Sequence, residues 1–531
     1  MDLDLIIGGL LVPVEMDGPG VYLTAAARRL QIPETELKVA RILSKSLVSG
    51  DPLQFYYEIS LVVRVPAGYR NKDDFPLYSV KPAARHKPAP AGLRPVIIGF
   101  GPAGMFAALE LLEYGLTPLI FERGKKLEER HLDVQRFIGA RTLAPESNIQ
   151  FGEGGAGAYS DGKLFSRLNN SAYAAKTLDT FIKFGAPPET AYVSKPHLGT
   201  DVLRKIVVNI RAHILQAGGK IHYSSKMTDI LISDGKVSGV VINGSSQYPA
   251  SSIYLAVGNS ARDTFELLHK KGVSLEAKPI SVGVRVEHPV KTINLIRYGA
   301  KYRDFPGIGA ATYSFNRTDR KTGRGAYTFC MCPGGEVVNA SSEEGALALN
   351  CMSYSARDSA FSNSAIAVTC TTADYKATHA LAGIEFQKEI ERKAFVAGGG
   401  NWKTPAQNLR DFLSGTSSAV LNSNSYKMGT QSADLSAIFP AFITETLQSA
   451  FNQWAVECPL FVGGDAVLMG PETRTSSPVR IKRGKNFESV NIRNLYPIGE
   501  GSGYSGGITS SASDAIKAVE AAHQSAGGAK I

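Results

Sequence analysis

The sequence predicts an α/β fold: a Rossmann-type domain opening near Val96, a mainly β second domain inserted into it, and a small N-terminal α/β unit. Three observations predict it. A hydrophobic strand runs directly into Gly99-Phe-Gly101-Pro102-Ala103-Gly104 and on into an apolar helix. Strand-like segments VIIGF, PLIFE, KIHYSS, KVSGVVI and SSIYLAVG then follow to about Leu268, separated by helical stretches and hairpins. Finally, the C-terminal segment NLYPIGEGSGYSGGITSSASDAIKAVEAAH returns to strand, glycine-rich turn and helix, as a chain does when it comes back to complete its first domain.

In chain order, residues 1–80 read as an accessory α/β unit. They comprise an apolar strand in LDLIIGGLLVPV, helical stretches LTAAARRLQI and TELKVARILSKSL, and the alternating strand QFYYEISLVVRV. Residues 81–95, KPAARHKPAPAGLRP, are too rich in Pro, Ala and basic residues to pack a core and read as a linker. The dinucleotide-binding domain is expected over 96–270 and 491–531, and the second domain over 271–490. The second domain mixes alternating runs such as SVGVRVEHPV and YTFCMCPGGEVVNA with a helix between Ala377 and Phe395.

Composition narrows the class. At 531 residues, 44% hydrophobic and 20% charged, the chain can bury a large cofactor and has neither disordered nor membrane character. The apolar run Pro95 to Leu112 is broken by glycines and a proline, so it reads as strand, turn and helix rather than a membrane span. The opening MDLDLIIGG carries acids where a secretory signal carries Lys or Arg, and five cysteines are too few and too odd for a disulfide framework. Both point to the cytoplasm. No CxxC-type metal spacing occurs. The net charge of +10 divides as +1 over 1–93, +4 over 94–270, +5 over 271–490 and 0 over 491–531, too evenly for a nucleic-acid surface. The basic run Arg480 to Lys485 is a solvated loop or an anion-facing edge. A small-molecule substrate is therefore expected, and oligomeric state is not legible.

In the glycine fingerprint each residue has a task. Gly99 makes the tight turn, Gly101 lets the backbone approach a pyrophosphate at the helix N-terminus, and Gly104 lets helix pack close on strand. Glu122 ends the next strand eighteen residues after Gly104, with Arg123 beside it; its carboxylate can accept from both hydroxyls of an adenosine ribose, which favours a cofactor without a 2′-phosphate.

The fingerprint is shared by FAD and NAD, so other segments must separate them. Gly499-Glu500-Gly501 followed by Gly506-Gly507-Ile508 resembles the late flavin motif of the glutathione-reductase-like superfamily, with Glu500 in place of the usual Asp. Independently of that resemblance, a helix N-terminus stabilises the negative charge of reduced flavin. The loop with Gly154, Gly155, Gly157, Ser160, Asp161, Gly162 and Lys163 resembles the glycine-rich loop that passes the flavin in the same superfamily. It holds no histidine for a covalent bond, so non-covalent FAD is expected. SSIYLAVGNS, with Ala256 and Gly258, resembles the superfamily's third marker.

Together with PHLGTDVLRK, FCMCPGGEVVNASSEEG and PETRTSSPVRI, these segments resemble the bacterial FAD-dependent dehydrogenases labelled NAD(FAD)-utilising. The resemblance implies an FAD-dependent oxidoreductase. A second GxGxxG in strand context is absent from 271–490, which leaves NAD(P)H to bind transiently against the flavin, or a different electron partner. Alternatives are a flavin-dependent RNA-modifying protein, which the +1 N-terminal charge disfavours, and a non-enzymatic flavin redox sensor.

Candidate catalytic residues lie outside the fingerprint. Arg474 and Arg480 offer donors for a carboxylate or phosphate, with Thr473, Thr475, Ser476 and Ser477 as hydroxyl donors, unless that loop is simply stabilised by its own hydrogen bonds. Arg285 reads as a surface position on an alternating strand. Cys330 and Cys332, two apart on a strand, should face one side and pair as a redox dithiol, or else pack as small apolar residues. His197 is a candidate base or a structural turn histidine.

Overall fold

In the computed structural model residues 3–79, 88–90, 92–164 and 171–524 are described. Five short parallel strands form the first sheet, in the order Leu495–Pro497, Ser252–Leu255, Pro95–Ile98, Leu119–Phe121 and Lys220–His222. They are apolar throughout their centre because both faces are covered: helices Pro102–Glu113, Gly199–Gln216 and Ile508–Gln524 pack on one, and an antiparallel meander with helix Arg262–Lys270 packs on the other. From Pro95–Ile98 the chain steps outward to Leu119–Phe121 and Lys220–His222, then returns to the other side at Ser252–Leu255. That reversal creates a crevice beyond the C-terminal ends of strands Pro95–Ile98 and Ser252–Leu255, where doubly wound sheets bind ligands. The meander, Met227–Ser233, Lys236–Ile242 and Ser246–Pro249, precedes the return.

The second sheet has seven strands, ordered Asn316–Thr318, Gly325–Cys332, Phe361–Cys370, Ile280–Pro289, Val467–Glu472, Thr404–Asn408 and Thr430–Ser432. Ile280–Pro289 pairs along its whole length with Phe361–Cys370 and is buried on both faces. Its alternating sequence suggests one wet face, and Arg285 reads as a surface residue. The structure corrects this: Arg285 is fully buried, because helices such as Ala441–Glu457 close one side of the sheet and neighbouring strands and loops close the other.

The N-terminal unit is an antiparallel sheet in the order Leu3–Pro13, Tyr56–Val65, Lys38–Val48, backed by helix Pro19–Leu30. TELKVARILSKSL, expected as helix, is mostly the strand Lys38–Val48. The central strand Tyr56–Val65 has a second hydrogen-bonding edge, and satisfying it outweighs the local helix preference of Leu, Lys and Arg. The unit is docked on the body of the protein. Phe55 stacks on Tyr302 with ring centroids 4.2 Å apart, and Lys45 exchanges backbone hydrogen bonds with Tyr192 and Ser194. Residues 80–87 and 91 of the expected linker lie outside the described residues.

Candidate functional site

At the switch point lies a cavity of about 620 Å³. Its walls bring together segments that are hundreds of residues apart: Gly99, Gly101, Pro102 and Ala103; Glu122 and Arg123; Gly155, Gly157, Ser160, Asp161, Gly162 and Lys163; Ala256 and Gly258; Glu500; and Gly506, Gly507 and Ile508. Gly104, Gly154 and Gly499 stand behind the wall and set its shape. A Cβ on Gly104 would fall 2.0 Å from the Gly99 carbonyl oxygen, and one on Gly499 would fall 2.6 Å from the Ala103 Cβ. Gly154 packs against Ala158 and Val207 in the same way.

Two helices aim their N-termini into the cavity, Pro102–Glu113 and Ile508–Gln524. Each presents backbone N–H groups that no turn of helix satisfies, together with the positive end of the helix dipole. Gly506 is the informative residue here. Its φ is not positive and a Cβ would meet nothing within 4 Å, so neither strain nor protein packing calls for glycine. It opens on the cavity, on a side free of protein contact. Gly101 is similar, with φ −85° and only the Gly155 backbone in contact range at 3.5 Å. This donor-rich, glycine-lined crevice fits the diphosphate and the flavin edge of FAD.

Glu122 closes the other end. Buried, it accepts from the backbone N–H of Phe100 at 2.8 Å, of Gly124 at 2.9 Å and of Gly152 at 2.9 Å, which pins three loops to one carboxylate. Arg123 lies over the Phe151 ring and makes ion pairs with Glu146 at 2.6 Å and Asp263 at 2.9 Å; Lys226 bridges the same two carboxylates. The rim is thus charged but internally neutralised.

The glycine-rich loop depends on a residue that no motif signals. Arg130, on helix Leu127–Ala140, is fully buried and donates to the carbonyl oxygens of Asn148, Ile149, Gly152, Glu153 and Gly155 at 2.7–3.2 Å. Burial lowers its pKa to about 10, yet it remains charged at neutral pH. The loop therefore wraps a guanidinium. A Cβ on Gly152 would come within 2.3 Å of the Arg130 Cδ, and Gly152 sits at φ +123°.

Asp161 accepts from Arg357 at 2.6 Å and Ser353 at 2.5 Å. Burial alone would raise its pKa, but the Lys163 and Arg357 charges outweigh this and hold it well below the usual carboxylate range. Lys163 Nζ pairs with Asp161 at 3.0 Å and lines the cavity beside it.

Glu500 accepts from the Asn259 side chain at 3.0 Å, and burial raises its pKa to about 7. The folded chain thus holds this proton more tightly than the unfolded chain, whose value is 4.5. The associated stability is whole below pH 4.5 and is lost as pH rises through about 7. We expect the difference in melting temperature between wild type and Glu500→Gln to change across that window, and a pH-independent difference would show that Glu500 titrates normally.

The second domain supplies the facing wall through Thr328, Phe329, Cys330, Asn350, Glu472, Arg474 and Thr475. Here several expectations are corrected. The Arg474 guanidinium, expected to be free for an anion, donates to both oxygens of Glu391 at 3.1–3.2 Å and to Ser342 at 2.7 Å; Glu391 in turn is held ionised by Arg262 and Arg474 against its burial. Arg480 is off the wall, paired with Glu276 at 2.8 Å. The hydroxyls of Thr473, Thr475 and Ser477 donate to Glu391, the Ser281 carbonyl and the Val479 carbonyl, and Ser476 accepts from Lys278, so the loop is held by its own contacts. Buried Arg285 pairs with Glu472 at 2.8 Å. His197 lies behind the wall, bridged to Lys163 through backbone, and burial lowers its pKa to about 4.

Cys330 and Cys332 are not the regular i, i+2 pair the strand pattern implies, and both thiols neighbour Cys351. A bulge between Phe329 and Cys332, with Cys330 at φ +46°, breaks the alternation. Cys330 is on the cavity wall, whereas Cys332 is buried with its thiol 3.4 Å from Asp161. Among the described residues no group of His, Cys, Asp and Glu is arranged to hold a metal, and no helix is long and apolar enough to cross a membrane.

Residues 279–475 match the family described as FAD-dependent protein, C-terminal domain-like. An uncharacterized protein of Clostridium beijerinckii is 45% identical over 429 residues, covering 80% of each chain. Among solved structures, the fold is similar to the quinol fumarate reductase of E. coli (13% identity, 83% of this chain, 71% of that chain, TM-score 0.36). It is also similar to the glycerol-3-phosphate dehydrogenase of Bacillus halodurans complexed with FAD (12% identity, 83% of this chain, 66% of that chain, TM-score 0.36). Given the identity and coverage of the Clostridium protein, the chain belongs to the same family as that protein, and the strands of its second sheet lie within the segment that matches the FAD-dependent protein, C-terminal domain-like model.

Proposed function

We propose that the protein is a two-electron oxidoreductase that holds FAD non-covalently in the switch-point cavity and exchanges hydride with a small polar or anionic substrate. The observation that carries this reading is the cavity of about 620 Å³ into which the starts of helices Pro102–Glu113 and Ile508–Gln524 and the glycine-rich loop Gly155–Gly162 all open. In this reading Glu122 accepts from the adenosine ribose, and the N–H groups at the start of Pro102–Glu113 receive the diphosphate. The start of Ile508–Gln524 faces the pyrimidine edge of the flavin. FAD supplies the two-electron chemistry.

The chain's own side chains do the rest. Arg123, Lys226 and Arg474 are already neutralised by Glu146, Asp263 and Glu391. Lys163 lines the cavity and shares Asp161, at 3.0 Å, with Arg357 and Ser353, so one carboxylate serves two cations and Lys163 is our candidate for orienting a substrate carboxylate. We expect purified protein to be yellow, and acid to release unmodified FAD. Colourless protein that FAD cannot reconstitute would overturn the reading. Mixing the yellow protein without oxygen against a panel of carboxylic acids and amino acids, and watching the flavin absorbance, identifies the substrate.

A further inference from the structure

The bulge that separates Cys330 from Cys332 brings Cys330 to a different cysteine. Cys330 on strand Gly325–Cys332 and Cys351 on strand Leu349–Met352 have their sulfurs 3.7 Å apart, and the Cys351 thiol is 3.3 Å from the Cys330 carbonyl oxygen. Two features set this pair apart from casual packing. Cys330 adopts φ +46°, a conformation that disfavours any side chain other than a short polar one and places this residue on the cavity wall. Asn350, the neighbour of Cys351, lines the same wall. Cys332 is a second neighbour of the Cys351 thiol.

We propose that Cys330 and Cys351 form a redox-active dithiol that closes to a disulfide and exchanges its two electrons with the flavin in the cavity. The proposal rests on the flavin reading above. Closure breaks two S–H bonds and forms one S–S bond; the two electrons and two protons released reduce one oxidised isoalloxazine to the dihydro form, and the reverse step opens the disulfide. Closure must bring the sulfurs from 3.7 Å to the bonded distance of about 2.05 Å. The neighbouring Cys351 thiol and burial push the Cys330 thiol well up, and the Cys351 thiol is raised to about 12. Both thus stay protonated at neutral pH, so closure requires loss of a thiol proton first and the exchange should speed up as pH rises.

The test uses the full-length yellow protein. It is reduced with a phosphine without oxygen, desalted, exposed to air and alkylated, and its peptides are mapped by mass spectrometry; the same protein stripped of FAD is treated in parallel. A Cys330–Cys351 cross-link that forms with FAD bound and at least about tenfold more slowly without it is the expected result. Anaerobic titration with dithionite should then take about two two-electron equivalents per FAD in wild type and about one in Cys351→Ser. A yellow protein that takes about one equivalent and shows no cross-link, or one that cross-links equally fast without FAD, overturns the dithiol proposal and leaves the flavin reading intact. A Cys330–Cys332 cross-link instead overturns the pairing. Protein that never binds FAD fails at the earlier step and takes both readings down together.

Discussion

Replacing Gly101 by Val is expected to abolish FAD binding while leaving the fold intact. Three nearby glycines cannot separate these effects: a Cβ on Gly99, Gly104 or Gly499 collides with protein at 2.3, 2.0 and 2.6 Å. At Gly101 the backbone is extended, with φ −85° and ψ −169°, a conformation Val favours, and its Cβ meets only the Gly155 backbone at 3.5 Å. The added methyls project instead into the space where a diphosphate must reach the N–H groups of the following helix. We expect affinity to fall by more than about 100-fold, or about 3 kcal/mol, from overpacking and lost contacts combined. Flavin content per protein after gel filtration, read alongside the melting temperature, checks this. Normal flavin content would show that the fingerprint only turns the chain.

Arg130→Met should remove both flavin and stability. Met matches the length of the side chain but leaves the carbonyl oxygens of Asn148, Ile149, Gly152, Glu153 and Gly155 without their buried donor. Loss of charge-assisted bonds at an interior position costs about 3–5 kcal/mol, net of the relief from not burying a charge. Gly155, Gly157 and Ser160 then lose the geometry that lines the cavity. Arg130→Lys should recover little, because one ammonium cannot span acceptors that a planar guanidinium reaches on several sides. Unchanged melting and full flavin occupancy in Arg130→Met would mean that the loop holds its own shape.

The sequence by itself determined the features whose physics is local. The strand into Gly99, the close approach at Gly104, the acid ending the next strand at Glu122 and the open backbone at Gly506 each follow from what one residue does to its immediate neighbours, so spacing alone made them legible. Only the tertiary structure decided what depends on partners distant in the chain. TELKVARILSKSL carries helix-forming residues, but the open edge of Tyr56–Val65 required a strand there. Arg474 has the chemistry of an anion clamp, and Glu391, eighty-three residues earlier, consumes it. Arg285 sits in an alternating run, and the cover on both faces of its sheet buries it. The clearest case is Cys330: its two-residue spacing to Cys332 implied a shared face, a single bulge broke the period, and the sulfur came to rest beside Cys351 instead. Periodicity reports a backbone that stays regular, whereas burial and pairing are settled by segments that meet only once the chain has folded.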